Sequence, residues 1–234
     1  VDRAGRWAVT ASDDKTARLW NLHSGRQEAV LRLPVGPGAE GALAAAALSP
    51  DGALVALGGS TGNNTVGVAI YLLDRASGRL LQCLPGLPST VIHLAFSADG
   101  GRLAAALASG GVRVFERGTG GVWRQLAVDD SFERQSYSVA FAADGRLLAT
   151  VAMDPSSQAS GELRLYAFPT GPSLTLLQRR TTTGGKDPLS ADFSPDGRRI
   201  AVGFSDSTVV DVLDGASLAP LASAGAAGRG DLAG

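Results

Sequence analysis

A short apolar run closed by an Asp-Gly turn recurs along the chain at a nearly constant interval, and this repetition constrains the fold more than any other feature. The phrase occupies residues 46–52 (AALSPDG), 94–100 (LAFSADG), 139–145 (VAFAADG) and 191–197 (ADFSPDG), with a degenerate copy at 1–5 (VDRAG). Its glycines, at 5, 52, 100, 145 and 197, lie 47, 48, 45 and 52 residues apart. A fixed period of this size marks a repeat architecture, in which each unit is one supersecondary element.

The phrase carries its own turn chemistry. A hydroxyl, a φ-restricted or neutral residue, an aspartate and a glycine form a tight turn with positive φ at the glycine, joining two antiparallel strands. An apolar strand follows each turn, at 7–10, 54–57, 103–107, 147–151 and 200–204. A polar turn then leads to a third strand, at 17–20, 68–73, 112–115, 163–166 and 209–213, and a weaker fourth strand follows, such as 123–128 or 174–178. No stretch shows a convincing helical period. The Ala-rich 42–48 is the best helical suspect, but its register with the other copies makes it a strand. In Val91-Ile92-His93-Leu94-Ala95-Phe96 both alternating sets are mostly apolar, as expected of a strand covered on both faces.

Four-stranded sheets stacked face to face around an axis bury both faces, which makes the expected fold an all-β β-propeller. The units run 1–33 (lacking its innermost strand), 42–84, 90–128, 136–178 and 188–221, with 222–234 as a tail or the start of a further blade. About five blades are present. Two readings of this count stand: a piece of a longer ring within a multidomain protein, or a five-bladed ring closed by the tail. An open ring exposes blade faces and predicts self-association.

The first unit carries a family resemblance. Thr10-Ala11-Ser12-Asp13-Asp14-Lys15-Thr16-Ala17-Arg18-Leu19-Trp20-Asn21 resembles the end of a WD-repeat, with Trp-Asn for Trp-Asp. The turn phrase is similar to the start of bacterial-type degenerate WD-repeats, and the likeness extends over nearly the whole chain. The resemblance implies a ring that usually has seven blades. It also implies a hydrogen-bonded tetrad, of which Thr10, Asp14 and Trp20 match three members; the histidine is missing. Phe115 and Tyr166 stand at the Trp position in later units, with Ser109 and Ser160 at the Asp position. Units two and five carry Leu73-Asp74 and Leu213-Asp214 there, with an extra residue expected in the third strand.

Composition narrows the function. With 21 Lys and Arg against 22 Asp and Glu, the formal net charge is −1, which removes the bulk electrostatic case for nucleic acid or an anionic membrane. The single cysteine, Cys83, excludes an internal disulfide, and its apolar neighbours suit a packed thiol. Of the two histidines, His23 lies in a surface turn, while His93 shares an inner-strand position with Ala45, Ser138 and Ser190 that faces the central channel. Thr183-Gly184-Gly185-Lys186 lacks phosphate-loop spacing. The turn aspartates Asp51, Asp99, Asp144 and Asp196, with Arg6, Arg102, Arg146 and Arg198, form a mixed-charge rim. Three connections could carry specificity: the Pro/Gly-rich 33–41, the loop with Asp129, Asp130, Phe132 and Glu133, and the loop with Arg179 and Arg180.

The resemblance implies a non-catalytic cytoplasmic scaffold for a protein or peptide partner, with no cofactor, metal, nucleic acid or membrane. A regulatory or sensor propeller attached to a signalling or protease-like enzyme is the alternative, and a propeller hydrolase with a central-channel site is the second.

Overall fold

The computed structural model describes residues 1–33, 41–62, 67–131, 134–151, 160–168, 174–182, 184 and 186–225. Their regular structure is almost wholly antiparallel sheet. The first sheet holds β1 (Trp7–Ala11), β2 (Thr16–Asn21) and β3 (Arg26–Arg32). The second holds β4 (Ala42–Leu48), β5 (Leu54–Ser60), β6 (Val68–Asp74) and β7 (Leu80–Leu87), and the third β8 (Val91–Phe96), β9 (Arg102–Leu107), β10 (Val112–Arg117) and β11 (Trp123–Asp129). The fourth is β12 (Val139–Phe141), β13 (Leu147–Val151), β14 (Glu162–Ala167) and β15 (Thr175–Thr181), and the fifth β16 (Pro188–Phe193), β17 (Arg199–Phe204), β18 (Val209–Asp214) and β19 (Pro220–Gly225). Within each sheet the strands pair in chain order. These are the blades of a β-propeller, and the Ala-rich stretch is a strand. Of the expected tail 222–234, residues 222–225 complete β19 of the fifth blade, and 226–234 lie outside the described residues.

Successive blades pack face to face through four apolar clusters. Leu54, Ala56, Ile70 and Leu72 of blade 2 meet Leu94, Leu103, Ala105 and Leu107 of blade 3. Ala17 and Leu19 of blade 1 meet Val55, Leu57 and Tyr71 of blade 2. Ala104, Ala106, Val112 and Val114 of blade 3 meet Leu147, Ala149, Val151 and Tyr166 of blade 4, while Leu148, Leu163 and Leu165 of blade 4 meet Ile200, Val202 and Phe204 of blade 5. Each blade therefore has a forward face toward the next blade and a rear face toward the previous one. At about 1.5–3 kcal/mol per buried large apolar side chain, these clusters dominate the stability.

The turn phrase works as its chemistry dictates. In three copies the serine hydroxyl bonds the aspartate (Ser49–Asp51 2.5 Å, Ser97–Asp99 2.5 Å, Ser194–Asp196 2.6 Å) and accepts the amide that opens the next strand. The aspartate in turn accepts the amide two residues on. The glycines hold φ between +65° and +85°. In the opening copy Asp2 stands where the serine would be, its carboxylate accepting the Arg6 and Trp7 amides at 2.7 and 2.9 Å. That substitution is what makes the opening copy degenerate while keeping the turn.

The serine hydrogen bond, followed by the backbone amide, holds Asp51, Asp99 and Asp196 below the ordinary carboxylate pKa of 3.8. A depressed folded-state pKa contributes stability that is present above the ordinary value and lost as pH falls through the folded value. Ser97→Ala is expected to cost about 1–2 kcal/mol at neutral pH. In urea unfolding across pH, the gap from the wild type should narrow below pH 3.8. A gap that stays constant would remove the carboxylate's share.

Side chains also reach from one blade to the next, mostly onto main chain. The Gln82 amide brackets the Trp123 backbone, donating to its carbonyl at 2.7 Å and accepting its N–H at 2.8 Å. His93 Nδ1 accepts the Val139 amide at 3.4 Å, and Ser138 Oγ accepts the Ala191 amide at 3.1 Å. Arg146 donates to the carbonyls of Gly197 and Gly215 and lies 5.7 Å above the Phe193 ring. Arg102 lies 4.3 Å above Phe168. Arg102 and Arg146 thus do more than offset carboxylates, whereas Arg6, 62% exposed beside Asp2, and Arg198, 85% exposed with Asp196 at 4.0 Å, stay on the solvated rim.

Candidate docking site

Around the axis, the strand ends that precede each Asp-Gly turn converge. Phe96, Phe141 and Phe193 end β8, β12 and β16, and Leu48 ends β4 at the same register. With Val1, Arg3, Pro50, Ala98, Ala143, Ser194 and Pro195 they line a mouth of about 330 Å³ to which all five blades contribute. The phenylalanines are half-buried, and each is braced from outside the mouth. Phe96 meets Trp123 edge-on at 5.7 Å, Phe141 stacks on Phe168 at 6.3 Å, and Phe193 lies under Arg146. Ala98, Ala143 and Pro195 stand exposed on the rim, with Arg3 the cation among them. An apolar, braced opening of this kind can take an extended apolar side chain or peptide segment without reorganising. In the sequence these phenylalanines stand out only as members of the recurring turn phrase. Their recurrence two residues before a turn proline or alanine was the signal for the site.

His93, on the same strand as Phe96, is exposed, yet the protein crowding its ring holds its pKa below the ordinary histidine value against the pull of Asp192. Ser138 is buried and bonded to the next strand, Ser190 half-buried, and Ala45 buried. Among the described residues no group of three or more His, Cys, Asp and Glu side chains is placed to hold a metal ion. Cys83 is half-buried, and burial raises its thiol pKa.

The tetrad positions come together only in part. Trp20 Nε1 donates to Thr10 Oγ1 at 3.0 Å. Asp14 turns instead to Thr16, whose hydroxyl lies 2.5 Å away, and to Arg18 at 2.6 Å; these bonds hold its pKa well below the usual carboxylate range. The residue after the Trp position has a turn-forming role: Asn21, Asp74 and Asp214 each accept amides two to three residues ahead. Leu73 and Leu213 sit in the Trp register, opposite Val55 and Ile200 as Trp20 sits opposite Ala8. The extra residue expected in both third strands is absent from β18, which has six residues like β2, β10 and β14.

Of the loop expected to meet a partner, Asp129 is engaged inside the protein. Asp129 lies between blades 3 and 4, where it accepts from Tyr166 at 2.5 Å and Arg164 at 3.0 Å. Arg164 also bonds Glu162, which pairs with Arg179 at 2.6 Å. Asp129 is therefore an interface residue, because the buried Arg164 requires its charge, and Arg179 is tied to the same cluster. Asp130 is exposed, and Phe132 and Glu133 lie outside the described residues. Arg180, half-buried, lines an opening between blades 4 and 5 with Lys186 and Asp211.

Five antiparallel sheets stacked around a shared axial mouth define a β-propeller. The family model described as "WD domain, G-beta repeat" matches residues 1–21 and 177–210. With the repeated four-stranded blades, these matches support a WD-repeat propeller. No curated protein matches the chain. Repeats of this family generally mediate protein interactions and are typically non-catalytic. No helix among the described residues is long and apolar enough to cross a membrane.

Proposed function

We propose that the chain is a non-catalytic docking scaffold, a module of a larger cytoplasmic protein, whose axial mouth receives an extended peptide segment of a protein partner. The observation that carries this reading is the mouth itself: three braced phenylalanines and Leu48 facing a shared opening with an uncluttered rim. Fold alone leaves function open, so the reading rests on this site. A peptide inserting one large apolar side chain there gains about 1.5–3 kcal/mol from that burial.

A phage-displayed library of random peptides, selected on the purified chain, provides the probe. Selected peptides are expected to carry an aromatic or aliphatic anchor. They should lose about tenfold in affinity or more, equivalent to about 1.4 kcal/mol, on Ala143→Glu or Ala98→Glu. Both positions are exposed, so thermal unfolding should be unchanged. Peptides that bind wild type and both variants equally would place docking elsewhere and overturn the assignment.

A further inference from the structure

The outer strands of the blades share a feature beyond the turn phrase. In blades 2 to 5 one residue of the outer strand stands unpaired between two register positions. It is Leu81 between Leu80 and Gln82, Leu126 between Gln125 and Ala127, Leu177 between Leu176 and Gln178, and Leu221 between Pro220 and Ala222. A bulge of this kind re-aims the side chain it carries. Three of the four leucines stay exposed, whereas Leu126 is half-buried.

The hairpin of the next blade accounts for the contrast between Leu126 and Leu81. Beside blade 3, the β14–β15 hairpin brings Phe168 and Leu174 against the cluster on which Leu126 also packs, with the Arg102 guanidinium 4.3 Å over the Phe168 ring. Beside blade 2, the β10–β11 hairpin reads Gly118-Thr119-Gly120-Gly121-Val122. It brings no aromatic and no leucine, and Val122 is 61% exposed. An open groove of about 350 Å³ lies there instead, between the outer parts of blades 2 and 3. Blades 1 and 4 flank this pair, so the groove is independent of the first and last blades. It shares no lining residue with the axial mouth.

The groove is pre-formed, apolar at its base and cationic at its edges. Leu72 and Trp123, both buried, lie beneath Leu81, 43% exposed, and Val122. The Gln82 amide, bonded to both the N–H and the carbonyl of Trp123, fixes the separation of the two outer strands. Arg79 and Arg117, both exposed, complete the lining, which holds no carboxylate. Neither guanidinium enters an ion pair among the described residues. The neighbouring Glu116 is taken by Arg124 at 2.6 Å, and Asp51 and Asp74 sense the two cations only at longer range. An added Cβ at Gly121 would lie 3.4 Å from a terminal nitrogen of Arg117, so the glycine hairpin leaves the space that this cation occupies.

We propose that this groove docks an acidic, extended segment of a protein partner. A large apolar side chain of the segment packs on Trp123 between Leu81 and Val122, and its carboxylates meet Arg79 and Arg117. Charge complementarity selects the acidic segment, because two cations line an apolar slot without a counter-charge of their own. The contact between Phe168 and Arg102 is the same pairing of an apolar ring with an arginine, made within the chain one blade further on.

Fluorescence polarisation tests this on the whole chain, with short labelled peptides as probes. Each carries a central Phe-Leu anchor, flanked by aspartates in one peptide and by lysines in the other. The aspartate peptide should bind about tenfold more tightly or better, and rising salt should weaken it. The double variant Arg79→Glu/Arg117→Glu should reverse the order of the two peptides, and Val122→Glu should weaken the aspartate peptide by about tenfold. All three replaced residues are exposed. Should the double variant fail to fold by circular dichroism, Arg117→Glu alone should still abolish the preference. Ala143→Glu, at the axial mouth, should leave the preference intact. An aspartate peptide that fails to bind, equal binding of the two peptides, a preference that survives the arginine variants, or one that disappears with Ala143→Glu would each overturn the proposal.

Discussion

Arg164→Met is expected to cost about 3–5 kcal/mol of stability, the range for removing one partner of a buried ion pair. The Arg164 side chain is 6% exposed and holds Glu162, 2% exposed, together with Asp129 and Ser131. A methionine of similar length fills the space but leaves Asp129 to Tyr166 and Ser131 alone, and Glu162 to Arg179 and the more distant Arg134 at 3.9 Å. The cost arises from carboxylates left short of a partner in a poorly solvated interface. Removing Glu162 as well, in the double variant Glu162→Met/Arg164→Met, should therefore recover part of the loss. Urea unfolding of the two variants and the wild type makes the comparison. A single variant that loses less than about 1 kcal/mol would mean that the cluster behaves like a solvated surface pair.

The second large effect is expected at Gly111, in the connection between β9 and β10. Its φ is +79°, and an added Cβ would lie 1.8 Å from the Asp129 carbonyl oxygen, a backbone atom with nowhere to go. Gly111→Ala should cost about 2–4 kcal/mol, combining left-handed strain with displacement of the end of β11. Gly120 provides the control. It has the same φ of +79° but nothing within 4 Å of an added Cβ, so Gly120→Ala should show only the conformational part, about 1 kcal/mol. Thermal or urea unfolding that gave equal losses would show that the close approach at Asp129 is relieved cheaply.

The fold was legible because its two strongest signals are local. Strand, turn and strand can be read within a dozen residues around each Asp-Gly pair, and the repetition of that unit defines the blades. The apolar character of both faces in 91–96 then indicated stacking. What connects one blade to another was not legible, because it joins residues far apart in sequence. Asp129 looked like part of an exposed acidic loop, and only Arg164 and Tyr166, 35 and 37 residues later, make it an interface residue. Asp14 matched a tetrad position by spacing, but without the histidine its carboxylate satisfies the nearer Thr16 and Arg18. The phenylalanines of the mouth were visible one at a time; their convergence depends on the curvature of the whole stack.

The joints between blades have a bearing on how such repeats diverge. Gln82, His93, Ser138 and Arg146 all grip the neighbouring blade by its main chain, at Trp123, Val139, Ala191, Gly197 and Gly215. A peptide amide or carbonyl is present whatever side chain it carries. A substitution in the gripped blade therefore leaves the joint intact as long as the strand keeps its path. Each unit is free to drift from the consensus while the stack remains in register, and the loss of the polar tetrad in most blades is a change that such sequence-blind coupling permits.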